Sequence, residues 1–476
     1  MVKDHPGGTK NTRPRRTNAR LAAVISESGL SREQVARAFV RVAIENGATD
    51  LAGIGRSHVT HWVGGSRPSG SAPVILCEAL SRCLGRTVTL EEIGLTAAGD
   101  AAVPGTGWDT DTLTALADLG RHERDMTVNR REALGTATYQ LAALTLPAAA
   151  WWTSLAERRL RRATPGSRTF GRGDVEAVRE ATAMFSRIDQ RRGGGHARAA
   201  VVQYLTSDVA HYLRGTYRDD GVRRDMFAAA SELAYLSGWM SFDNGNHAVA
   251  QRHFILAVQL AAEADDAPMA GHVLRAMAHQ AIDLGHIHPG LRLAAASVEG
   301  KRYSEASPRE RALLGVVHGK ALAAAGDHKA AAVALIRAEV DLADATPAGS
   351  EPARVFFFSE ASLAHETACA LRYLGDLDGA ARSFQRSVRT RRAATFTRTH
   401  AVTLGYLGAV QASQGAIEEA CVTWNRAMDA MDGIRSARTR NVVADIRAVL
   451  ATHRRRSVPA AITLETRASD FLRTTA

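Results

Sequence analysis

The C-terminal two-thirds of the chain alternates between helical, alanine-rich stretches and single glycines in one register. A small residue usually follows each glycine at five positions, a larger apolar residue at nine and a small one at twelve, as in Ala250, Phe254 and Ala257. The steps between these glycines are 40, 41, 49 and 40 residues, and the glycines are Gly245, Gly285, Gly326, Gly375 and Gly415. Repetition at such a period predicts stacked helix pairs, because one pair cannot bury its apolar face alone. An irregular helical bundle with chance glycines is the alternative.

A second small residue stands seven positions before each glycine. These residues are Gly238, Ala278, Gly319, Ala368 and Gly408. Only small side chains let two helix backbones approach closely, so we expect the helices of each pair to cross here. The combined pattern resembles the tetratricopeptide repeat, which has a small residue at position eight, a turn glycine at fifteen, and small, large and small residues at twenty, twenty-four and twenty-seven. The period exceeds the 34 residues of that family, which predicts extended helices or turns.

Four shorter helices are predicted near the N-terminus. The first is capped by Asn18 and closes at Gly29, the second opens with a capping box at Ser31 and Gln34, the third spans Ser57 to Val63, and the fourth spans Pro73 to Gly85. In the third helix, Val59 and Trp62 are expected to face inward. This order resembles the helix-turn-helix domain of phage-repressor-like regulators. About ten extra residues, roughly Arg41 to Gly53, stand where that family has a tight turn.

The resemblance implies a DNA-reading role for the third helix, since in that family it enters the major groove. It implies base contacts for Arg56, Ser57, His58, Thr60 and His61, and a phosphate contact for Arg67. A helical domain that docks onto another protein is the alternative. It would expose a similar basic surface.

Charge supports a polyanionic partner, because the net charge is +11 and the isoelectric point is near 9.9. The first residues form a basic arm that includes Arg13, Arg15 and Arg16, and Pro6 and Pro14 keep it unfolded. Such an arm can lie along phosphates or enter a minor groove of double-stranded DNA. A solvated tail is the alternative.

These patterns divide the chain into six segments. They are a disordered basic arm at 1–17, a helix-turn-helix domain at 18–96, a linker at 97–108, connecting helices and an array cap at 109–170, a repeat array at 171–455 and a C-terminal tail at 456–476. The predicted fold class is therefore all-α, with a helix-turn-helix domain followed by an α-solenoid.

Catalytic and metal-binding motifs are lacking in the sequence. The four cysteines have no metal spacing, and neither a nucleophile elbow nor a His-Glu helix motif occurs. Gly193 to His196 is glycine-rich like a phosphate-binding loop, yet no Lys-Ser/Thr pair follows, so we interpret it as a turn. We expect no enzyme activity, cofactor or metal. With no run of 18 apolar residues we also expect no membrane association and a cytoplasmic location.

The inner face of a tetratricopeptide array is made by the first helix of each pair. The resemblance therefore implies a groove that binds a ligand or a partner. The residues mapped onto it are Glu232, Tyr235, Trp239, Phe242, Asp243, His272, Arg275, His279, Asp283, Lys320, His365, Arg372 and Tyr373. Aromatic rings mixed with both signs of charge suit an extended peptide, and a small molecule or a protein stays open.

As a whole, the chain resembles actinobacterial helix-turn-helix regulators that carry a C-terminal tetratricopeptide array. This resemblance implies a sequence-specific transcriptional regulator on the nucleoid, often a repressor of developmental or secondary-metabolism genes, acting as a homodimer. The sign of regulation and the dimer come from the resemblance alone. A non-enzymatic interaction scaffold with a helical docking head is the competing hypothesis.

Overall fold

The computed structural model describes residues 17–95, 107–128, 138–152, 154–155, 168–345, 351–453 and 459–474. Over these residues the chain contains 21 α-helices and one small parallel pairing of strands β1 (Thr169–Phe170) and β2 (Thr216–Tyr217). The all-α prediction is thus confirmed. Almost all of the predicted arm, with Arg13, Arg15 and Arg16, and most of the predicted linker lie outside the described residues.

Two compact units make up the chain. The first contains the described residues 17–95, and the second contains 107–128 and the described residues from Tyr139 onward. No helix in the described ranges combines the length and the apolar character that a bilayer crossing requires.

The first unit consists of four helices around one core. They are α1 (Ala19–Glu27), α2 (Arg32–Glu45), α3 (Arg56–Val63) and α4 (Ala72–Leu84), with a 3₁₀ turn at Thr49–Leu51. The predicted caps are present, since Asn18 accepts from the Leu21 amide at 3.0 Å and the capping box joins Ser31 and Gln34. Leu21, Phe39 and Val59 are completely buried. The extra residues between α2 and α3 extend α2 and form the 3₁₀ turn.

The second unit opens with helices that precede the repeats. These are α5 (Thr112–Val128), α6 (Arg172–Arg192), α7 (Gly194–Tyr204), a π-helical turn (Leu205–Val209) and α8 (Ala210–Leu213). Six helix pairs follow: α9 (Asp220–Asp243) with α10 (His247–Ala264), α11 (Ala267–Asp283) with α12 (Ile287–Ser297), α14 (Pro308–Ala324) with α15 (His328–Ala343), α16 (Glu360–Tyr373) with α17 (Leu377–Thr390), α18 (Thr397–Ser413) with α19 (Ile417–Ala430), and α20 (Ala437–His453) with α21 (Pro459–Thr474). The short helix α13 (Lys301–Ser304) lies before α14.

The predicted turn glycines all adopt one backbone conformation. Their φ angles lie between +80° and +85°, a left-handed region that glycine enters without strain. At Gly326 the glycine amide donates to the Ala323 carbonyl at 3.1 Å, and the next amide, of Asp327, donates to Leu322 at 3.0 Å. The same two bonds occur at the other four turns. This repeated C-cap ends each first helix and reverses the chain.

The small residues before these turns mark close helix crossings, as predicted. A methyl group at Gly238 would stand 2.7 Å from the Phe254 ring, and one at Gly408 would collide with the Trp424 indole. Phe254 and Trp424 are the large residues of the repeat pattern, and both are fully buried. In these two pairs the second helix therefore places its bulky side chain against the gap left by the glycine.

The triple glycine after α6 is bonded to the segment between the fifth and sixth helix pairs. The Arg435 amide donates to the Arg192 carbonyl at 2.8 Å, and the Gly195 amide donates to the Arg435 carbonyl at 2.9 Å. Gly193 is the predicted turn, with φ of +82°, but a methyl group there would also stand 2.5 Å from the Arg435 oxygen. The repeats therefore return to α6, and their inner faces border a bounded cavity instead of an open groove.

The segment after residue 455 is helical where the structure describes it. In α21, Leu464 and Ala468 are completely buried and Ala461 nearly so. Their spacing of three and four residues gives the helix one apolar face, which packs against α19 and α20. Residues 459–474 thus extend the array by a further helix, although the sequence pattern assigned them to a tail.

Candidate functional site

Helix α3 presents a polar face to solvent in the first unit. Arg56, Ser57, His58 and His61 are exposed, Thr60 is half-buried, and Val59 faces the core. Trp62, on the same inner face as Val59, packs against Phe39 of α2 with 5.3 Å between ring centroids and the ring planes tilted by 54°. This packing fixes which side of α3 faces outward.

Hydrogen bonds order the first turns of α3, and one of them joins this helix to α2. The Gly55 amide donates to His58 Nδ1 at 3.2 Å, and the Thr60 hydroxyl donates to the Arg56 carbonyl at 2.9 Å. Arg32 of α2 donates to the Thr60 hydroxyl at 3.3 Å. Within residues 17–95, the side chains of Arg56, Ser57 and His61 have no hydrogen-bond partner. They are therefore available to an external molecule.

Carboxylates of the first unit are largely paired elsewhere. Arg82 contacts Glu45 and Glu78, each at 2.7 Å. Arg86 contacts Glu27 at 2.8 Å and Glu92 at 2.7 Å.

Two further arginines near α3 lack such a partner within residues 17–95. Arg32 and Arg56 have no carboxylate partner among residues 17–95. Arg67, just beyond α3, is exposed and donates to the Leu95 carbonyl at 2.5 Å. The α3 face is consequently electropositive, although the unit holds nearly equal numbers of both charges.

A cavity of about 530 Å³ lies inside the array of the second unit. Its walls come from α6, α9, α11, α16 and α18 and from the segment 352–358, which contains a 3₁₀ turn at Ala353–Val355. Its size falls in the range of small-molecule sites. Of the residues mapped onto a groove, it brings together Glu232, Tyr235, Trp239, Arg275 and His365.

One buried charge network lies beside this cavity at Arg354. Its guanidinium contacts Glu310 at 2.7 and 2.9 Å and Glu232 at 3.2 Å. His272 reaches the same Glu310 carboxylate at 3.0 Å. Burial would raise the pKa of Glu310, but Arg354 and His272 hold it at about 2. Burial lowers the pKa of His272 to about 4, and Arg275 contributes, so this imidazole is neutral near pH 7.

A second network surrounds Lys320. Its ammonium lies 3.3 Å from Asp283 and 3.5 Å from Glu366, and His279 lies 3.3 Å from Asp283. The His279 ring also contacts Phe242 at 5.9 Å between centroids. Lys320, Asp283, His279 and Phe242 therefore pack among themselves and do not line the cavity.

A third network is centred on Arg398 of α18. The guanidinium contacts Asp243 of α9 at 2.7 Å and Asp189 of α6 at 2.9 Å. Burial raises the pKa of Asp189 to about 6, since Arg398 offsets only part of the desolvation. Asp243 also accepts from the Gly194 amide at 2.9 Å. Asp243 thus holds the ends of the array together.

Two of the mapped residues lie on the surface instead. Arg372 and Tyr373, at the end of α16, are exposed. The Arg372 guanidinium stacks over the Tyr406 ring at 5.4 Å. Neither residue lines the cavity.

Sequence reasoning missed several cavity residues, among them Phe357, Arg354, Arg391 and Arg398. They lie outside the inner positions of the repeat pattern: the first two precede α16, Arg391 follows α17 and Arg398 starts α18. A signal was nevertheless present. Three consecutive phenylalanines, 356–358, follow a break in the repeat where the glycine step lengthens to 49 residues.

Comparison with known proteins concerns the first unit. Residues 21–96 match the family model described as the SP15 N-terminal domain. This range coincides with the core from Leu21 to Leu95, and it covers under a fifth of the chain. No curated protein matches the chain. Among the described residues, no cluster of three or more His, Cys, Asp or Glu side chains is arranged to hold a metal.

Proposed function

We propose that the chain is a sequence-specific DNA-binding transcriptional regulator whose first unit contacts DNA through α3. The proposal rests on the exposed polar face of α3. Arg56, Ser57 and His61 project from it without hydrogen-bond partners among residues 17–95, while Arg82 and Arg86 neutralise four carboxylates of the unit elsewhere. Exposed donors on one short helix suit base edges in a major groove.

The neighbouring arginines are assigned to the DNA backbone in this proposal. Arg32 meets α3 at Thr60, and Arg67 follows the helix, so both flank the reading face. Contacts with phosphates fix the orientation of a protein on DNA without specifying sequence. The basic arm, with Arg13, Arg15 and Arg16, would add affinity that falls with salt.

The helix pairs of the second unit are assigned to the tetratricopeptide class. The repeated glycine C-caps and the glycine-to-aromatic crossings at Gly238 and Gly408 support this assignment. The longer period has a local source in the additional residues between pairs, such as α13 and the segment 352–358. In this proposal the array binds a ligand or partner and mediates dimerisation.

A second copy of the chain is the proposed partner of α15. Val333, Ile336 and Val340 share one face of this helix, and they are 62%, 63% and 56% exposed. A contiguous apolar stripe on an otherwise charged surface is typical of a protein interface. A ligand in the array would then act by preferring one dimer geometry, which changes the spacing of two α3 helices on DNA. If the dimer geometry without ligand is the one that binds DNA, the protein acts as a repressor in the absence of ligand.

The test is a selection of genomic fragments by the purified full-length protein at about 150 mM salt, where non-specific attraction is screened. Enrichment of a few sites, especially inverted repeats, is expected. The same selection with an Arg56→Ala, His61→Ala double variant serves as the matched comparison. Uniform recovery of fragments by the folded wild type would overturn the proposal. It would favour the scaffold hypothesis, in which the first unit docks onto a protein.

A further inference from the structure

We propose that the cavity of the second unit binds a small organic anion, whose acidic groups are recognised by Arg275 and Arg391 and whose apolar body lies against Trp239 and Phe357. This inference rests on the part of the proposed function that assigns a ligand to the array. The acidic groups of that ligand are carboxylates or phosphates.

The carboxylates that line the cavity are already committed to other cations. Asp189 lies 2.9 Å from Arg398, Glu232 lies 3.2 Å from Arg354, and Glu366 lies 3.5 Å from Lys320. Lys320 and Arg398 are buried, the Arg354 side chain is 10% exposed, and each of the three cations contacts at least two carboxylates. These carboxylates therefore make their ion-pair contacts with cations other than Arg275 and Arg391.

Arg275 is one of two buried arginines of the cavity lining that no carboxylate contacts among the described residues. Its side chain is buried, at 2% exposure, yet it has no ion-pair partner among the described residues. One Nη atom donates to the Tyr235 hydroxyl at 2.9 Å and lies 3.1 Å from His272 Nε2, whereas the buried Nε has no partner. The guanidinium also stacks over Trp239 at 5.7 Å.

Arg391 is the second such arginine. It is 7% exposed, and its Nη2 atom donates to the Ala361 carbonyl at 2.9 Å and to the Ser387 hydroxyl at 3.0 Å. Its Nε has no partner, and no carboxylate lies within ion-pair distance in the described residues. Burial lowers the pKa of Arg391 to about 10, although Glu366 acts in the opposite direction. The desolvated guanidinium has no direct carboxylate contact among the described residues, and a bound anion would supply one.

The histidine that lines the cavity, His365, adds no charge to it near pH 7. Burial lowers the pKa of His365 to about 3, so its imidazole is neutral near pH 7. The cavity thus presents two forked, buried donors to a ligand and no carboxylate that competes for them. Guanidinium groups form paired, charge-assisted bonds with carboxylates and phosphates, and such bonds are the stronger ones in proteins.

Apolar side chains of the cavity specify the rest of the ligand. Trp239, Leu313, Phe357 and Val402 line the cavity with apolar surface, and Phe356 beside them is 38% exposed. A volume of about 530 Å³ accommodates a small molecule and excludes a folded protein. The ligand class is therefore an amphipathic anion with an aromatic or branched aliphatic body.

The experiment is isothermal titration of the full-length protein with three related probes. They are phenylsuccinate, phenyl phosphate and the neutral phenylsuccinamide. We expect saturable binding of at least one anion, with a rise in melting temperature, and at least tenfold weaker binding of the diamide. A preference between the two anions identifies a carboxylate or a phosphate ligand. Equal binding of the diamide, or no saturable binding of either anion up to about 10 mM, would overturn the proposal.

Variants test the two arginines individually. Arg275→Gln and Arg391→Gln should each weaken anion binding at least tenfold, whereas the exposed cavity arginine in Arg187→Gln should change it less than twofold. Without ligand, the first two variants should melt within about 5 °C of the wild type, because each removes a buried charge that lacks an anion. A larger fall in the melting temperature of both variants would show that these arginines stabilise the fold, and it would overturn their assignment to ligand binding.

The two proposals can fail separately. Genomic-fragment selection on the same preparations reports DNA binding without reference to the cavity. Enriched sites with no anion binding would overturn the cavity inference alone. Anion binding with uniform fragment recovery would overturn the DNA proposal alone.

Discussion

The Arg398 guanidinium donates to the Asp243 carboxylate at 2.7 Å, although 155 positions separate the two residues in the chain. Its other side contacts Asp189 at 2.9 Å, across 209 positions. Both contacts are buried, so solvent does not screen them. One side chain from the fifth helix pair therefore fixes α6 and α9 at the cavity wall.

Arg398→Gln should lower the free energy of unfolding by about 3 to 5 kcal/mol, because it leaves two buried carboxylates without their cation. Urea unfolding at pH 7 measures the loss. Arg386→Gln is the matched control, since Arg386 pairs with Glu360 at 2.8 Å with both side chains more than half exposed. That control should lose less than about 1 kcal/mol. Equal losses in the two variants would contradict the assigned role of Arg398.

Gly408→Ala should destabilise the second unit by about 1 to 3 kcal/mol, because the new methyl group collides with the buried Trp424 indole. Thermal unfolding followed by circular dichroism measures the change. Gly173→Ala, near the start of α6 with open space around it, should be neutral or stabilising by up to about 1 kcal/mol. An unchanged melting temperature of Gly408→Ala would show that α18 and α19 pack less closely at this position than the structure indicates.

The stability of the second unit should fall with acid through His365. Burial lowers the pKa of this histidine from its ordinary 6.5 to about 3, so the unfolded chain takes up a proton that the folded chain refuses over this interval. Between pH 6 and 4, His365→Gln should lose less stability than the wild type, by up to about 1.4 kcal/mol per pH unit. Urea unfolding at pH 6, 5 and 4 gives the two slopes. Parallel slopes would contradict the assignment of a buried, neutral imidazole.

Single replacements on α3 should separate base contacts from phosphate contacts. With DNA selected as above, Arg56→Ala and His61→Ala should each weaken specific binding about tenfold or more and non-specific binding much less. Arg86→Ala, whose guanidinium is already paired with Glu27 and Glu92, is the control and should leave both nearly unchanged. Equal losses of specific and non-specific affinity would place Arg56 and His61 on phosphates.

Ile336→Glu should shift the protein from dimer to monomer in sedimentation velocity, because a carboxylate in an apolar interface is strongly unfavourable. Val422→Glu is the matched control, since Val422 of α19 is equally exposed, at 64%, outside the stripe on α15. The control should sediment like the wild type. A monomeric wild type, or an unchanged Ile336→Glu dimer, would remove α15 from the proposed interface.

The repeat pattern in the sequence is enough to predict the helix pairs. Turn glycines and crossing glycines obey local backbone and packing constraints, so Gly326 and Gly408 can be recognised from spacing alone. The caps at Asn18 and Ser31 are equally local. All of these features depend on neighbours within one helix pair or one turn.

The closure of the array cannot be predicted in this way. Gly193 and Arg435 meet across more than 240 positions, and neither carries a periodic signal that points to the other. The cavity depends on this closure. The repeat pattern therefore predicts Tyr235, Trp239 and Arg275 on the wall, but it places Lys320 there as well and omits Arg391.

The joint between Gly195 and Arg435 also sets an order of events during synthesis. A ribosome releases the chain from its N-terminus, so the early helix pairs emerge and can fold long before residue 435 exists. Until then, α6 lacks the backbone partner that its C-terminal end bonds to, and Asp189 and Asp243 lack Arg398. Nascent chains shorter than about residue 440 therefore have no complete cavity, and the proposed ligand can bind only after this joint has formed.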